Sequence, residues 1–337
     1  MSCSPPAAAR DLRGLPKAHL HLHLSGALRP TLLRELLDRD GLPDPEPADG
    51  TFETFLRSMA VAAQALRTPD DYARLLHELA EDAAAEGVVW LEPATSLRPA
   101  LAQQLALPDQ EAVLKLLIAM ASDAERDTGV GIGFMVAANR TRSPSEAEHL
   151  AALASRYAGR GVVSFGLADD ERRGPAEQFG QAFAIARSAG LISAPHAGEH
   201  GGPESVRAAL DVLGAGRVQH GVRAIEDTDL VHRLVDEQIC LDVCPTSNAH
   251  LKVVPELESH QLPALVEAGV RVSLNADCPT VFGCGLLGEY ELSRRVFGFD
   301  DRTLATIAET SIRASGAPEA LRSAAVANIA RWTAGAQ

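Results

Sequence analysis

Ala18–Leu24 reads AHLHLHL, and its strict alternation of polar and apolar residues marks a β-strand with two unlike faces. His21 and His23 stand two residues apart, so both imidazoles point to the same side of the sheet. Taken alone, the pair is explained slightly better by a strand with a polar face, and His19 suits that plainer description best. The rest of the chain shifts the balance. Seven further short apolar runs follow, at Val88–Leu91, Val130–Ala137, Val162–Leu167, Leu191–Pro195, Val218–Val222, Ile239–Val243 and Val270–Leu274. Between them lie stretches such as Ser145–Ala158, Pro175–Ser188 and Glu204–Leu213, whose apolar residues recur three or four apart, as on amphipathic helices. Strands that alternate with helices, eight strands in all, predict an α/β fold in which a parallel sheet closes into a (β/α)8 TIM barrel. Arg29–Ala80 is too long for one strand-to-helix connection and predicts a helical insertion after strand 1, lying over the barrel mouth.

A chain of 337 residues suits one barrel domain, expected over 15–337. Residues 1–14 and the AGAQ end are expected to fray, and Pro43–Pro47 (PDPEP) is the most disorder-prone internal stretch. A net charge of −14 argues against a nucleic acid or an anionic membrane as main partner, because both would be repelled. The expected partner is a small molecule. No apolar run approaches the roughly 20 residues that span a bilayer, and the N-terminus lacks a signal-peptide pattern, so the expected location is cytoplasmic. The five cysteines, Cys3, Cys240, Cys244, Cys278 and Cys284, are odd in number and form no paired CxxC site, which predicts reduced thiols.

His196 in PHAGE and His220 in QHG end predicted strands, and Asp277 ends the eighth. In a parallel barrel these carboxyl-terminal ends converge on one rim, where catalytic groups distant in sequence become neighbours. One buried histidine per strand is ordinary; several at one rim are not. Three imidazoles with a carboxylate suit one Zn²⁺ per chain with an open position, where water loses a proton near neutral pH and becomes a nucleophile. Such a site calls for hydrolysis. Glu199, three residues past His196, is placed to act as an acid near the metal, although a solvated loop carboxylate is its ordinary alternative. Cys244 and Cys278, at strand ends, fit packing better than soft metal ligation.

The ordered motifs LPKAHLHLHLSGAL (Leu15–Leu28), HAGE (His196–Glu199), QHGVRAIED (Gln219–Asp227), CPTSN (Cys244–Asn248) and SLNADCP (Ser273–Pro279) resemble the adenosine deaminase family from about Leu15 to the C-terminal helices. The resemblance implies zinc bound by His21, His23, His196 and Asp277. It also implies that His220 orients or deprotonates the attacking water, that Glu199 protonates the ring nitrogen beside the attacked carbon, and that Asp277 helps position the hydroxide. The implied reaction converts a 6-aminopurine nucleoside, adenosine or a 5′-modified analogue such as 6-aminodeoxyfutalosine, to the 6-oxo product and ammonia.

Three departures fall on the implied substrate side. Cys278 replaces an acid that contacts the five-membered ring. Asp169 in FGLADDE (Phe165–Glu171) replaces a glycine whose backbone approaches the purine. Ser25 replaces an acid that reaches the ribose 5′-hydroxyl. RYAGRGVVSFGLADDERRG (Arg156–Gly174) looks most similar to a subgroup that includes 6-aminodeoxyfutalosine deaminases. Two other readings use the same residues: a related amidohydrolase acting on a different amino-heterocycle, and a non-catalytic barrel that binds a purine nucleoside.

Overall fold

The eight runs become eight barrel positions in the computed structural model, which describes residues 9–47 and 49–335. In chain order these are β1 (Lys17–His23), β2 (Val88–Thr95), β3 with β4 (Gly131–Ile132 and Phe134–Asn139), β5 (Val162–Ala168), β6 with β7 (Ile192–Ser193 and His196–Ala197), β8 (Arg217–His220), β9 (Cys240–Val243) and β10 (Arg271–Leu274). Every pairing between them is parallel. Two positions are split for visible reasons. Gly133 separates β3 from β4, where a Cβ would come within 2.7 Å of the Trp90 ring. Pro195, which has no N–H to give a ladder, separates β6 from β7.

Hydrogen bonding runs in the order β1-β2-β4-β5-β6 and β10-β9-β8-β7, which leaves a seam between β10 and β1. The seam is closed by the segment after β10. Asp277 N donates to His21 O at 3.1 Å, and His23 N donates to Asp277 O at 2.9 Å. Below them the Asn275 side-chain oxygen accepts from Leu20 N and His21 N at 2.7 and 3.0 Å. His19 joins the same seam by accepting from Ala276 N at 3.0 Å, a structural use in keeping with its plainer reading.

The connection from β1 to β2 carries α1 (Pro30–Asp40), α2 (Phe52–Ala65) and α3 (Pro69–Ala85). Thr51 caps α2 by accepting from Thr54 N, and a reciprocal Thr68/Asp71 capping box starts α3. The Pro43–Pro47 stretch has no regular structure but is tied to α2, because Arg57 pairs with Glu46 and the Ser58 hydroxyl donates to Glu46 O. The outer helices stop short of their sequence pattern in places: the stretch expected from Ser145 ends at Ser155, where the chain turns back into β5.

The N-terminal expectation needs correction. Fraying over 1–14 does not extend to the described residues 9–14: Leu12–Gly14 forms a 3₁₀ turn with Leu12 buried, and Lys17 Nζ donates to Leu12 O at 2.8 Å. Residues 1–8 and 336–337, the remainder of the stretches expected to fray, lie outside the described residues. Among the described residues no helix is long and apolar enough to cross a membrane.

Candidate active site

His21, His23, His196, His220, Glu199 and Asp277 meet at the carboxyl-terminal rim, as the strand ends require. Backbone strain marks the place. Of the six non-glycine residues with positive φ among the described residues, Asp169 (81°), His220 (63°) and Asp277 (57°) are here. Each such conformation costs about 1–3 kcal/mol and persists where the surrounding structure imposes it.

The side-chain nitrogens of His21, His23 and His196 lie within 4.8 Å of one another. His21 Nδ1 is 3.2 Å from Asp242 O, and His196 Nδ1 is 3.1 Å from Leu167 O. A carbonyl only accepts, so both Nδ1 atoms carry the proton and both Nε2 lone pairs point inward. His21 Nε2 is buried with no partner, and His23 Nε2 faces His196 Nε2 at 3.3 Å. Asp277 Oδ1 lies 3.7 Å from His21 Nε2 and 3.4 Å from His23 Nε2. The inward lone pairs of His21 and His196, with His23 and the Asp277 carboxylate beside them, fit a divalent cation. Burial, the largest influence, holds His21 at about 4 and His196 well below the usual imidazole value, so both rings are neutral at neutral pH.

The tautomer of His220 follows from its neighbours. Leu262 N donates to His260 Nδ1 at 2.9 Å, so neutral His260 carries its proton on Nε2. His260 Nε2 meets Asn248 Oδ1 at 3.2 Å, which turns the Asn248 amide nitrogen toward His220 Nδ1 at 3.1 Å. Burial keeps His260 at about 4 and His220 well below its ordinary value. His220 therefore presents an Nε2–H donor to the site, 3.6 Å from Glu199 Oε1. Glu199 is itself buried. Burial, then the charges of Asp277 and Glu171, push its carboxyl well above the ordinary range, which favours the protonated form.

The turn Pro245–His250 after β9 supports this cluster: the Ser247 hydroxyl donates to Asp277 Oδ2 at 2.6 Å, and Asn248 holds His220. Glu289 accepts from Thr246 N at the start of that turn, and burial pushes its carboxyl from 4.5 up to about 8. A proton bound more tightly in the folded than in the unfolded state adds stability that is full below the unfolded pKa and is lost as pH rises through the folded one. Glu289→Gln is therefore expected to match the wild type in Tm below about pH 4.5 and to exceed it above about pH 8, which thermal scans across that range would check.

Ser25 and Asp169 line a cavity of about 230 Å³ beside the cluster, together with His23, His196, Glu199, His220 and Asp277. Its other wall is Phe52, Phe55, Leu56 and Met59 of α2, with Ser96, Arg98 and Asn139 opposite. The sequence places an insertion over the barrel mouth and Ser247 and Asn248 in the CPTSN motif, but it does not single out these wall residues or give Glu171, Ser247, Asn248 or His260 a supporting part.

Cys278 requires a correction, because it does not line the cavity. It is fully buried beside Phe52, Leu251 and Phe282 in an apolar cluster, with Sγ 3.4 Å from Asp277 Oδ1. The space exists because Gly26 lacks a side chain: a Cβ there would lie 2.7 Å from the sulfur. Burial, then the charge of Asp277, raises the thiol well above its ordinary value, which leaves it a protonated packing group. Cys244 sits 3.4 Å from His21 Nδ1, on the ring edge away from the inward lone pairs.

A neutral imidazole cluster beside a buried carboxyl of raised proton affinity, at the rim of a parallel barrel, is an arrangement suited to hydrolysis of the amidohydrolase kind. A match to the adenosine deaminase family spans residues 16–332. The chain belongs to that family and is a hydrolase acting on the C–N bonds of amidines. A Streptomyces virginiae protein provisionally named an adenosine/adenine deaminase is 46% identical, over 97% of this chain and 99% of its own length. The crystal structure of adenine deaminase from Arthrobacter aurescens matches with a TM-score of 0.87 and 32% identity, covering 95% of this chain and 99% of that one. An amidohydrolase from Burkholderia ambifaria with bound Zn matches with a TM-score of 0.84 and 26% identity, covering 96% of this chain and 93% of that one.

Proposed function

We propose that this protein hydrolyses free adenine to hypoxanthine and ammonia, using one zinc ion held by His21, His23, His196 and Asp277. The sequence alone points to a nucleoside; the cavity favours the smaller base. Its volume of about 230 Å³ falls below the roughly 300–1,000 Å³ of sites that enclose drug-sized ligands, and Phe52, Phe55, Leu56 and Met59 of α2 line it. The naming of the Arthrobacter relative as an adenine deaminase supports the same substrate, whereas the name of the Streptomyces relative covers both adenosine and adenine.

Asp169 carries the choice of base over nucleoside. Its Oδ2 accepts from the Asn139 amide at 2.6 Å and its Oδ1 from Asp170 N at 2.7 Å, so the carboxylate is held as an acceptor on the cavity wall. An acceptor calls for an N–H. The five-membered ring of adenine offers one, and a nucleoside has a sugar on that nitrogen.

His21, His23, His196 and Asp277 would hold a zinc ion, which would lower the proton affinity of water near neutral pH and supply Lewis acidity. The chain's own groups supply the rest. Glu199 gives its proton to the ring nitrogen next to the amino-bearing carbon, which offsets the loss of aromatic delocalisation as the C–O bond forms. His220 donates its Nε2–H to the incoming oxygen and holds it over the ring face. Asp277, fixed by Ser247, accepts a hydrogen bond from the same oxygen. One proton of the water goes to the amino group and the other returns to Glu199, replacing the one given to the ring; the C–N bond breaks, and ammonia leaves.

9-Methyladenine separates the acceptor argument from size alone, since it adds one methyl group and removes the N–H. Its kcat/KM is expected to fall about 10–100-fold below that of adenine, the equivalent of one hydrogen bond to a charged group. Asp169→Asn is expected to narrow that gap by slowing adenine. Equal turnover of adenine and 9-methyladenine, or a preference for adenosine, would contradict the reading.

A further inference from the structure

The segment that carries Glu199 has little regular structure to shape it. β7 is only two residues long, and the next helix begins at Pro203, so residues 198–202 are held by neither a ladder nor helical hydrogen bonds. Their backbone groups are nevertheless filled. Gly198 N donates to Glu171 Oε1 at 2.6 Å, and Glu199 N, His200 N and Gly201 N donate to Glu171 Oε2 at 3.0, 2.8 and 2.8 Å. The Ser205 hydroxyl adds a fifth bond to the same carboxylate. On the carbonyl side, Arg223 N donates to Gly198 O at 3.0 Å, and its Nη1 donates to His200 O at 2.9 Å.

Glu171 is a buried acid three residues past the end of β5, and four consecutive N–H groups converge on it. The loop's glycines make this possible. Gly198 has a φ of 68°, and a Cβ on Gly201 would come within 2.7 Å of Glu171 Oε1. One carboxylate therefore sets the curvature of the loop that carries Glu199.

We propose that Glu171 is the positioning residue for Glu199: it fixes the loop so that the Glu199 carboxyl meets the ring nitrogen, without itself touching substrate. The inference rests on the assignment of Glu199 as the acid. An amide at 171 keeps the size but has one acceptor oxygen, and its NH2 group faces backbone donors. The loop must then shift, and displacements of about 1 Å cost near 10²-fold in rate.

The test is a double-mutant cycle on the zinc-loaded full chain with adenine as substrate, measured at high enzyme concentration. Glu171→Gln alone is expected to lower kcat about 10²-fold, with KM within about threefold and zinc content unchanged. In a Glu199→Gln background the same change is expected to cost less than about twofold, because the group it positions is already gone. If the Gln variant does not fold, Glu171→Asp keeps the charge, withdraws it from the loop, and is held to the same kcat-selective pattern.

Equal losses in both backgrounds, or a loss shared between kcat, KM and zinc content, would overturn the inference and leave the deaminase reading intact. A Glu199→Gln protein as active as the wild type, or a wild type inert toward adenine, would instead overturn the reading beneath it.

Discussion

Glu199→Gln is expected to lower kcat for adenine by about 10²–10⁴-fold, the usual range for removing a positioned general acid, with KM and zinc content close to wild type. Adding oxygen to an aromatic ring carbon pushes electron density onto the neighbouring nitrogen, and the step is slow unless that nitrogen gains a proton as the bond forms. Glutamine fills the same volume but gives up no proton at neutral pH. The environment of Glu199 suits this work: burial first, then the charges of Asp277 and Glu171, hold its carboxyl well above the ordinary range. The protonated form is the working form, so kcat falls as pH rises through that raised pKa. Steady-state kinetics at several pH values, alongside metal analysis, would check both parts. A variant that loses zinc with its activity would assign Glu199 a structural task instead.

Removing the metal is expected to have the second large effect. His23 Nε2 faces His196 Nε2 at 3.3 Å, and His21 Nε2 is buried among the described residues with no hydrogen-bond partner, so a cation there would satisfy all three. Chelated protein should lose deaminase activity completely, regain it on adding zinc, and show a lower Tm. A ligand present at a thousand times its dissociation constant and binding only the folded state contributes about 4 kcal/mol. His196→Ala should reproduce the chelated state without recovery on adding zinc. Differential scanning calorimetry with and without the metal would measure the stability change. Full activity in protein that retains no metal would rule out the assignment.

Much of the site can be read from the chain because its residues stand at strand ends, where eight parallel strands leave little choice of direction. His21, His23, His196, His220 and Asp277 need only the barrel to become neighbours. What escapes sequence reading depends on contacts between elements. The Phe52–Met59 face of α2 looks like any amphipathic helix, and nothing in its period says that it walls a cavity. Cys278 sits where a substrate contact is expected, but the absent side chain at Gly26 leaves a pocket that takes the sulfur inward. Glu171 stands in the acidic run Asp169–Glu171, whose three members have different tasks: Asp169 lines the cavity, Asp170 pairs with Arg172, and Glu171 gathers the loop. Their separate positions come from the turn at Asp169, a residue held at a φ of 81°.

The strained backbone at Asp169, His220 and Asp277 belongs to the same explanation. Each lies at or just past the end of its strand, where the chain leaves the barrel, and the left-handed turn aims the side chain at the rim. The cost, about 1–3 kcal/mol at each position, is borne by the surrounding barrel.

The most direct test incubates the zinc-loaded protein with adenine and with adenosine and measures ammonia together with the 6-oxo product. The account predicts one ammonia for each hypoxanthine formed, a kcat/KM for adenine within the usual enzymatic range of about 10⁴–10⁸ M⁻¹s⁻¹, and adenosine at least about 10²-fold poorer. No ammonia from adenine, or faster release from adenosine than from the base, would contradict it.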